Sequence, residues 1–314
     1  MQKITMVVHG GAGTITKEEM TPELEKSFLE GLQQALDAGY SILEKGGAAV
    51  EAVKAANIAL EDNPLFNAGR GSVYTKQGVQ EMDAAIMNGK TLEAGAVAGV
   101  RNIRNPIKLA MEVMQNSDHV FLSGKGASDF AIKQGIKQEP DEYFFSQYRY
   151  DQWKEARDSD NYSLDHSSND ISKLNKKKIG TIGAVACDVN GNVAAATSTG
   201  GMTNKKYGRV GDTPVIGGGT YANNHTCAVS CTGHGEVFIR AVAAYDVSAL
   251  VEYKGLSLTD ACNEVVLNKL VQMQGEGGLI AVNSNGEFAM VFNSEGMYRG
   301  VKNSDGINET NIYK

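Results

Sequence analysis

Gly180-Thr181-Ile182-Gly183-Ala184-Val185-Ala186, followed by Asn190-Gly191 and then by Ala196-Thr197-Ser198-Thr199-Gly200-Gly201, is the stretch on which the reading of this chain turns. A polar segment ending in Lys176-Lys177-Lys178 precedes it, and apolar alternation begins immediately after it. A threonine hydroxyl is a poor nucleophile. If the Gly180–Thr181 bond were cut, however, Thr181 would carry an α-amine beside its own Oγ, and an amine titrating near pH ~8 is a usable base at neutral pH. A glycine before the threonine fits such a cut, because without a Cβ it tolerates the strained backbone that an internal attack requires. In isolation the dipeptide reads more simply as the start of a buried strand. The residues that follow reverse that preference.

Thr181–Ala186 and Asn192–Thr197 flank Asn190-Gly191, the signature of a type I′ hairpin. The hairpin would return Thr199, 199 − 181 = 18 residues on, to the neighbourhood of Thr181, so that one hydroxyl orients another. Further on, Gly208-Arg209-Val210-Gly211-Asp212 sets a guanidinium and a carboxylate on a glycine-rich turn. The pair suits a salt bridge, and equally an α-amino acid, with Arg209 taking the carboxylate as a fork and Asp212 the ammonium. From Thr220 two strands lead to Ser230-Cys231-Thr232-Gly233-His234-Gly235-Glu236, where glycine N–H groups at a strand end opening into a helix over 237–251 suit an oxyanion hole. Leu258–Met273 reads as a helix and Leu279–Phe292 as a hairpin around Asn285-Gly286. The polar tail from Ser294 carries no pattern.

Upstream, Ile4–Val8 reads as a buried strand entering the turn His9-Gly10-Gly11-Ala12-Gly13. Thr16 stands where a dinucleotide fingerprint needs its last glycine, so the turn is read as lying beside a site. Thr21-Pro22-Glu23 starts a helix ended by Gly46-Gly47, and a second helix is closed by Pro64. The loop Asn63–Gly71, rich in glycine and carbonyls, suits either a hard cation or plain connection, and composition favours the latter. Met82–Met87, Ala94–Val100 and Val120–Leu122 read as strands, with a helix from Asn105-Pro106 through Met114. Gly124-Lys125-Gly126 lacks the Ser or Thr of a Walker loop. From about Ser146 to Lys178 the chain carries few large apolar residues, so its second half is expected to be mobile, and Trp153 to end a helix. Two antiparallel sheets with helices outside them follow from these elements, an α+β class.

The net charge of −7, with no sustained basic stripe, argues against nucleic acid as a partner. No run is long enough to span a bilayer and the N-terminal apolar run is too short for a leader, which places the chain away from membranes and in the cytoplasm. Cys187, Cys227, Cys231 and Cys262 show no C-x-x-C spacing and read as reduced core residues. The histidines show no metal-ligand pattern.

Taken together and in this order, His9–Gly13, Pro64–Gly69, Gly180–Val185, Thr197–Lys205, Gly208–Asp212 and Ser230–Gly233 resemble the plant-type, or type III, L-asparaginase and isoaspartyl peptidase family of N-terminal nucleophile hydrolases, over almost the whole length. The resemblance implies an αββα sandwich made as a precursor and cut between Gly180 and Thr181. The products would be an α subunit, 1–180, whose residues from about 155 form a mobile linker, and a β subunit, 181–314, assembled as an (αβ)₂ dimer. It implies Thr181 as nucleophile, Thr199 as its hydroxyl neighbour, Thr232 and Gly233 as oxyanion hole, and Arg209, Asp212 and Gly235 as substrate clamp, with Asn67 beside the nucleophile. It further implies a structural Na⁺ on the main-chain carbonyls of Leu60, Glu61, Asn63, Phe66, Ala68 and Arg70, and no organic cofactor. The expected substrates are L-asparagine and β-aspartyl dipeptides. The rival readings are a glycosylasparaginase-like amidohydrolase and an uncleaved amino-acid-binding protein, the latter having no need of three aligned hydroxyls.

Overall fold

The computed structural model describes residues 3–158 and 180–314. Twelve strands are present among them: β1 (Thr5–Gly13), β2 (Met82–Asn88), β3 (Ala94–Val100), β4 (Phe121–Ser123), β5 (Ile182–Cys187), β6 (Val193–Thr199), β7 (Thr220–Ala222), β8 (Ala228–Gly233), β9 (Gly277–Val282), β10 (Phe288–Phe292), β11 (Gly296–Asn303) and β12 (Asn308–Tyr313). They form an eight-stranded sheet in the order β12-β11-β1-β5-β6-β2-β3-β4 and a four-stranded sheet in the order β10-β9-β8-β7. All pairings are antiparallel except β3 with β4. The central strands β1, β5 and β6 are buried residue by residue, without the alternation of a strand that faces water on one side.

Three apolar clusters explain that burial. The first packs α1 (Pro22–Glu44), α2 (Ala49–Asp62) and α3 (Pro106–Asn116) onto the large sheet through Phe28, Leu32, Leu36, Leu60 and Ile107 against Met6, Val8, Ile86 and Ala184. Thr21 starts α1 as expected, its hydroxyl accepting the Leu24 N–H at 3.2 Å with Pro22 in the first turn. The second lies between the small sheet and the C-terminal helices, with Cys227, Cys231 and Cys262 all buried as free thiols within it. Val7, Val185 and Ala195 of the large sheet meet Ala228, Ile280 and Val282 of the small one in the third.

Several local expectations are corrected. The hairpin glycines do not sit in type I′ turns, because Asn190 and Asn285 keep negative φ while Gly191 and Gly286 take φ of 73° and 78°. Instead Asp188, Asn283 and Asn303 each stand three residues before a left-handed glycine, and each Oδ1 accepts the N–H groups two and four residues on at 2.9–3.1 Å. This is a type I turn with a glycine bulge, specified by the Asx side chain rather than by the Asn-Gly pair. The third such turn joins β11 to β12, so the tail from Ser294 is two strands that complete the large sheet, β11 pairing with β1. Gly124 opens α4 (Gly124–Lys133), and the short α5 (Asp141–Phe144) follows it.

The polar segment expected from Ser146 begins as a regular helix, α6 (Gln147–Asp158), with Trp153 buried in its middle against Tyr74 and Tyr150. The second half of that segment, expected to be mobile, lies outside the described residues. The helix predicted over 237–251 is broken: α7 (Gly235–Ala241) and α8 (Ala243–Lys254) flank Val242, which is left-handed at φ 51°. The predicted helix over 258–273 runs as α9 (Leu258–Asn263), a π turn at Glu264–Lys269 and α10 (Leu270–Gln272).

Between the sheets runs a seam of hydroxyls beside the apolar contacts. His9 Nε2 on β1 lies 2.9 Å from Ser230 Oγ on β8, which is 2.8 Å from Thr197 Oγ1 on β6, which is 2.6 Å from Thr220 Oγ1 on β7. All four residues are fully buried. Burial, partly offset by the main chain at Thr181, lowers the His9 pKa to about 3, so the ring is neutral in the folded protein. A histidine whose folded pKa lies below its unfolded value contributes stability that is present above pH ~6.5 and lost as pH falls toward 3. Between pH 8 and 5 this loss amounts to about 2 kcal/mol. His9→Gln, which keeps a polar partner for Ser230 without a titrating ring, should therefore show a flatter decline of unfolding free energy over that range in urea titrations. Parallel declines in the two proteins would show that His9 does not set the acid limb.

Candidate active site

Thr181 stands at the head of β5 and Thr199 at the end of β6, and the register Ile182 with Ser198 sets their side chains together. Thr181 Oγ1 donates to Thr199 Oγ1 at 3.2 Å and lies 3.4 Å from Thr213 Oγ1. Thr199 Oγ1 also accepts the Gly201 N–H at 3.0 Å, which leaves it facing the Thr181 hydroxyl as a hydrogen-bond acceptor. Thr181, Thr199 and Thr213 are all buried.

Gly180 is pressed between two walls. A Cβ built on it would lie 2.8 Å from Thr232 Oγ1 on β8 and 3.4 Å from Ala12 N on β1. The Thr232 hydroxyl in turn accepts the Ala12 N–H at 3.3 Å. From the other side a Cβ on Gly11 would meet Gly180 N at 2.6 Å, and Gly11 holds φ at +116°. Only glycine meets both demands there. His9–Gly13, read from sequence as a turn, is instead the end of strand β1, which stays paired with β11 through Gly13 and bulges between His9 and Gly11. This strand end backs directly onto the peptide that precedes Thr181, and Gly233, the last residue of β8, follows Thr232 in the same wall.

Arg209, Asp212 and Gly235 also lie together. A Cβ on Gly235 would lie 2.8 Å from Arg209 Nη2 and 2.9 Å from Asp212 Oδ1, so the glycine admits both charged groups to one spot at the start of α7. Asp212 is buried, its Oδ2 makes no hydrogen bond among the described residues, and desolvation lifts its pKa to about 7 against the pull of Arg209. One edge of Arg209 is occupied: its Nε and Nη2 donate to Glu236 Oε1 and Oε2 at 2.8 and 2.9 Å. Burial opposes the charge on Glu236, yet the Arg209 contact holds its pKa below the ordinary value. The remaining guanidinium edge is the one that a ligand carboxylate can reach.

Glu236 was not singled out by its sequence context, although a carboxylate in the first turn after Gly-His-Gly is a visible signal. Thr213 has no signal beyond lying next to Asp212. Asp83 and Lys205 were missed too. Lys205 is buried, its Nζ donating to Glu81 O at 3.0 Å, and its charge works against the desolvation that raises the pKa of buried Asp83. The Gly99 N–H donates to Asp83 Oδ1 at 2.8 Å.

Asn67 is buried in the loop after α2 and holds the strand end that carries Thr199: its Nδ2 donates to Gly201 O at 2.7 Å and its main-chain carbonyl accepts the Gly200 N–H at 2.9 Å. In the same loop the carbonyls of Glu61 and Phe66 lie against the Cα atoms of Gly69 and Gly71, where any Cβ would strike them. Leu60, Asn63, Phe66 and Ala68 carbonyls each accept one loop N–H, which leaves a second lone pair on each. Such neutral oxygens suit a hard monovalent cation. Among the described residues no cluster of three or more His, Cys, Asp or Glu side chains is present, and no helix is long and apolar enough to cross a membrane.

Comparison with known proteins places the chain in a family. Residues 2–312 match the family described as asparaginase. The isoaspartyl peptidase of Salmonella typhimurium is 50% identical over 314 residues, covering 100% of both chains. That of Escherichia coli is 49% identical over 100% of this chain and 97% of its own. The isoaspartyl peptidase/L-asparaginase of Xenopus laevis is 43% identical over 94% of this chain and 91% of its own. By these matches, which run over the whole length, the chain belongs to the plant-type, type III asparaginase family of N-terminal nucleophile hydrolases.

Proposed function

We propose that the protein is an isoaspartyl peptidase and L-asparaginase that matures by cutting its own Gly180–Thr181 bond. The observation that carries this reading is the Thr181 hydroxyl 3.2 Å from Thr199, immediately after a glycine pressed onto the Thr232 hydroxyl. In maturation, Thr181 Oγ adds to the Gly180 carbonyl carbon, the C–N bond breaks, and the α-amine is released. Water then cleaves the ester, leaving Gly180 with a carboxylate and Thr181 with a free amine. The α part, 1–180, and the β part, 181–314, remain one unit, in the four-layer αββα arrangement of this enzyme class, paired as (αβ)₂.

In turnover the Thr181 amine takes the proton from Oγ as the oxygen attacks the β-carbonyl of the substrate. Thr232 Oγ1 and the Gly233 N–H hold the developing oxyanion. The leaving nitrogen, ammonia or the α-amine of the next residue, takes up that proton as the C–N bond breaks. Water attacks the β-aspartyl ester, and aspartate departs. Substrate choice follows from the clamp: the free edge of Arg209 receives the α-carboxylate, and the ammonium supplies the partner that the buried Asp212 Oδ2 lacks. A β-linked aspartyl group presents both charges together with a reactive side-chain carbonyl; an ordinary α-linked peptide does not. The carbonyl loop over Leu60–Arg70 would hold Na⁺ and so stiffen the backbone around Asn67. The four buried thiols fit a reducing cytoplasm.

Intact-mass measurement of freshly purified protein should give two fragments, the second beginning at Thr181. Thr181→Ala should remain one chain and hydrolyse neither asparagine nor a β-aspartyl dipeptide; retained hydrolysis would overturn the mechanism. Gly235→Ala crowds Arg209 and Asp212 without touching the nucleophile. Its KM for both substrates should rise about tenfold or more, since each factor of ten needs only about 1.4 kcal/mol, while kcat changes little. A loss confined to kcat would remove Gly235 from the clamp.

A further inference from the structure

Arg149, on α6, is the largest fully buried side chain among the described residues and is 1% exposed. No carboxylate among the described residues pairs with it. Its Nε donates to Gly71 O at 2.9 Å, its Nη2 to Leu65 O at 3.2 Å and its Nη1 to Gln152 Oε1 at 3.2 Å. Burial lowers its pKa to about 10, which still leaves it charged at neutral pH. A buried guanidinium without a counterion is expensive, and three neutral acceptors offset only part of its desolvation. Removing it would leave the Leu65 and Gly71 carbonyls without the donor they share, so the cost of burying the charge is tied to holding those two points of the chain.

What the guanidinium grips is specific. Leu65 and Gly71 bracket the turn that carries Asn67, and the planar fork ties both ends of it at once. Neither carbonyl is among the six expected to face Na⁺. From Asn67 the connections run unbroken to the reacting atoms: Asn67 Nδ2 to Gly201 O at 2.7 Å, Gly200 N to Asn67 O at 2.9 Å, Gly201 N to Thr199 Oγ1 at 3.0 Å, and Thr199 Oγ1 to Thr181 Oγ1 at 3.2 Å. A shift of the 65–71 turn would move the acceptor that aims the nucleophile.

We propose that Arg149 is a positioning residue for the nucleophile, a tethered cation that clamps the 65–71 turn and through Asn67 fixes the Thr199 hydroxyl against Thr181. The catalytic part of this inference rests on the assignment of Thr181 and Thr199 as the reacting pair. The mechanical part does not.

The test uses wild type, Arg149→Met and Arg149→Lys, with rates expressed per cut chain from intact mass. Arg149→Met should lose about tenfold or more in kcat, equivalent to about 1.4 kcal/mol of barrier, with KM for a β-aspartyl dipeptide within about twofold. In a third variant, Arg149→Ala, which leaves the side-chain volume empty, guanidinium at about 10 mM should restore part of the loss by refilling the site, which NaCl at equal ionic strength should not do. Arg149→Lys, which keeps the charge and loses the fork, should fall between, and it decides the matter if Arg149→Met does not fold. Hydrogen exchange at the Gly200 and Gly201 amides supplies a readout independent of turnover: exchange should quicken in the variants and, in Arg149→Ala, slow again with guanidinium. Wild-type kcat in a folded variant, or a loss in Arg149→Ala that guanidinium leaves untouched and that follows the fall in Tm, would overturn the inference. So would unchanged exchange at those amides. Wild type that hydrolyses neither substrate would sink the proposed function instead, and the exchange measurement would then decide whether the clamp exists.

Discussion

The close approach of the glycine-rich end of β1 to Gly180 is the constraint on which the rest of the structure depends. Gly11 must leave its Cβ direction empty because Gly180 N occupies it, and Gly180 must do the same because the Thr232 hydroxyl lies there. Each surface comes from a different sheet, so the peptide before Thr181 is held wherever the two sheets meet. Their packing is therefore a condition of the chemistry as well as of stability. This accounts for the hydroxyl seam that interrupts the apolar contacts between the sheets. Oil-like packing sets a distance, whereas His9, Ser230, Thr197 and Thr220 also set a register, since hydrogen bonds weaken quickly with misalignment.

Charge is arranged around the site by the same economy of unpaired groups. Arg209 is given one carboxylate, Glu236, on one edge and left open on the other. Asp212 is given the field of Arg209 and no hydrogen-bond partner for Oδ2. A site with both charges fully paired would be more stable empty and would bind an amino-acid head group poorly, because ligand contacts would only replace protein contacts. On the proposed function, an incoming ammonium would supply the partner that Asp212 Oδ2 lacks among the described residues.

The sequence carried most of this in particular places. The meeting of Thr181 and Thr199 was legible because an antiparallel hairpin converts a spacing of 18 residues into a contact. The buried strands were legible from their runs of small apolar residues. The turn type was not, since the Asn-Gly pair looked decisive while Asp188, Asn283 and Asn303 set the conformation from three residues upstream. Of the two C-terminal strands, β12 was hidden by polar residues that face outward at the sheet edge. Helix α6 was hidden because charged residues dominate its composition while Trp153 and Arg149 do the packing. The pairing of Arg209 with Glu236 spans 27 residues and a whole strand pair, beyond any local pattern.

The division of the strands between the two sides of Gly180 explains how such a chain can be cut without coming apart. β1 and β2 precede the bond, and β5, β6 and β11 follow it. β1 lies between β11 and β5, and β2 pairs along β6. Three of the ladders in the large sheet therefore join one side of the bond to the other, and a cut between residues 180 and 181 severs none of them. The hydroxyl seam crosses the same divide, from His9 to Ser230. A new amine would be created at the head of β5 with β1 on one side and β6 on the other, so the strand bearing it keeps its ladders. The fold can release a covalent bond at its centre because the energy that holds that centre is in the sheet and the packing between sheets, and almost none of it is in the peptide bond itself.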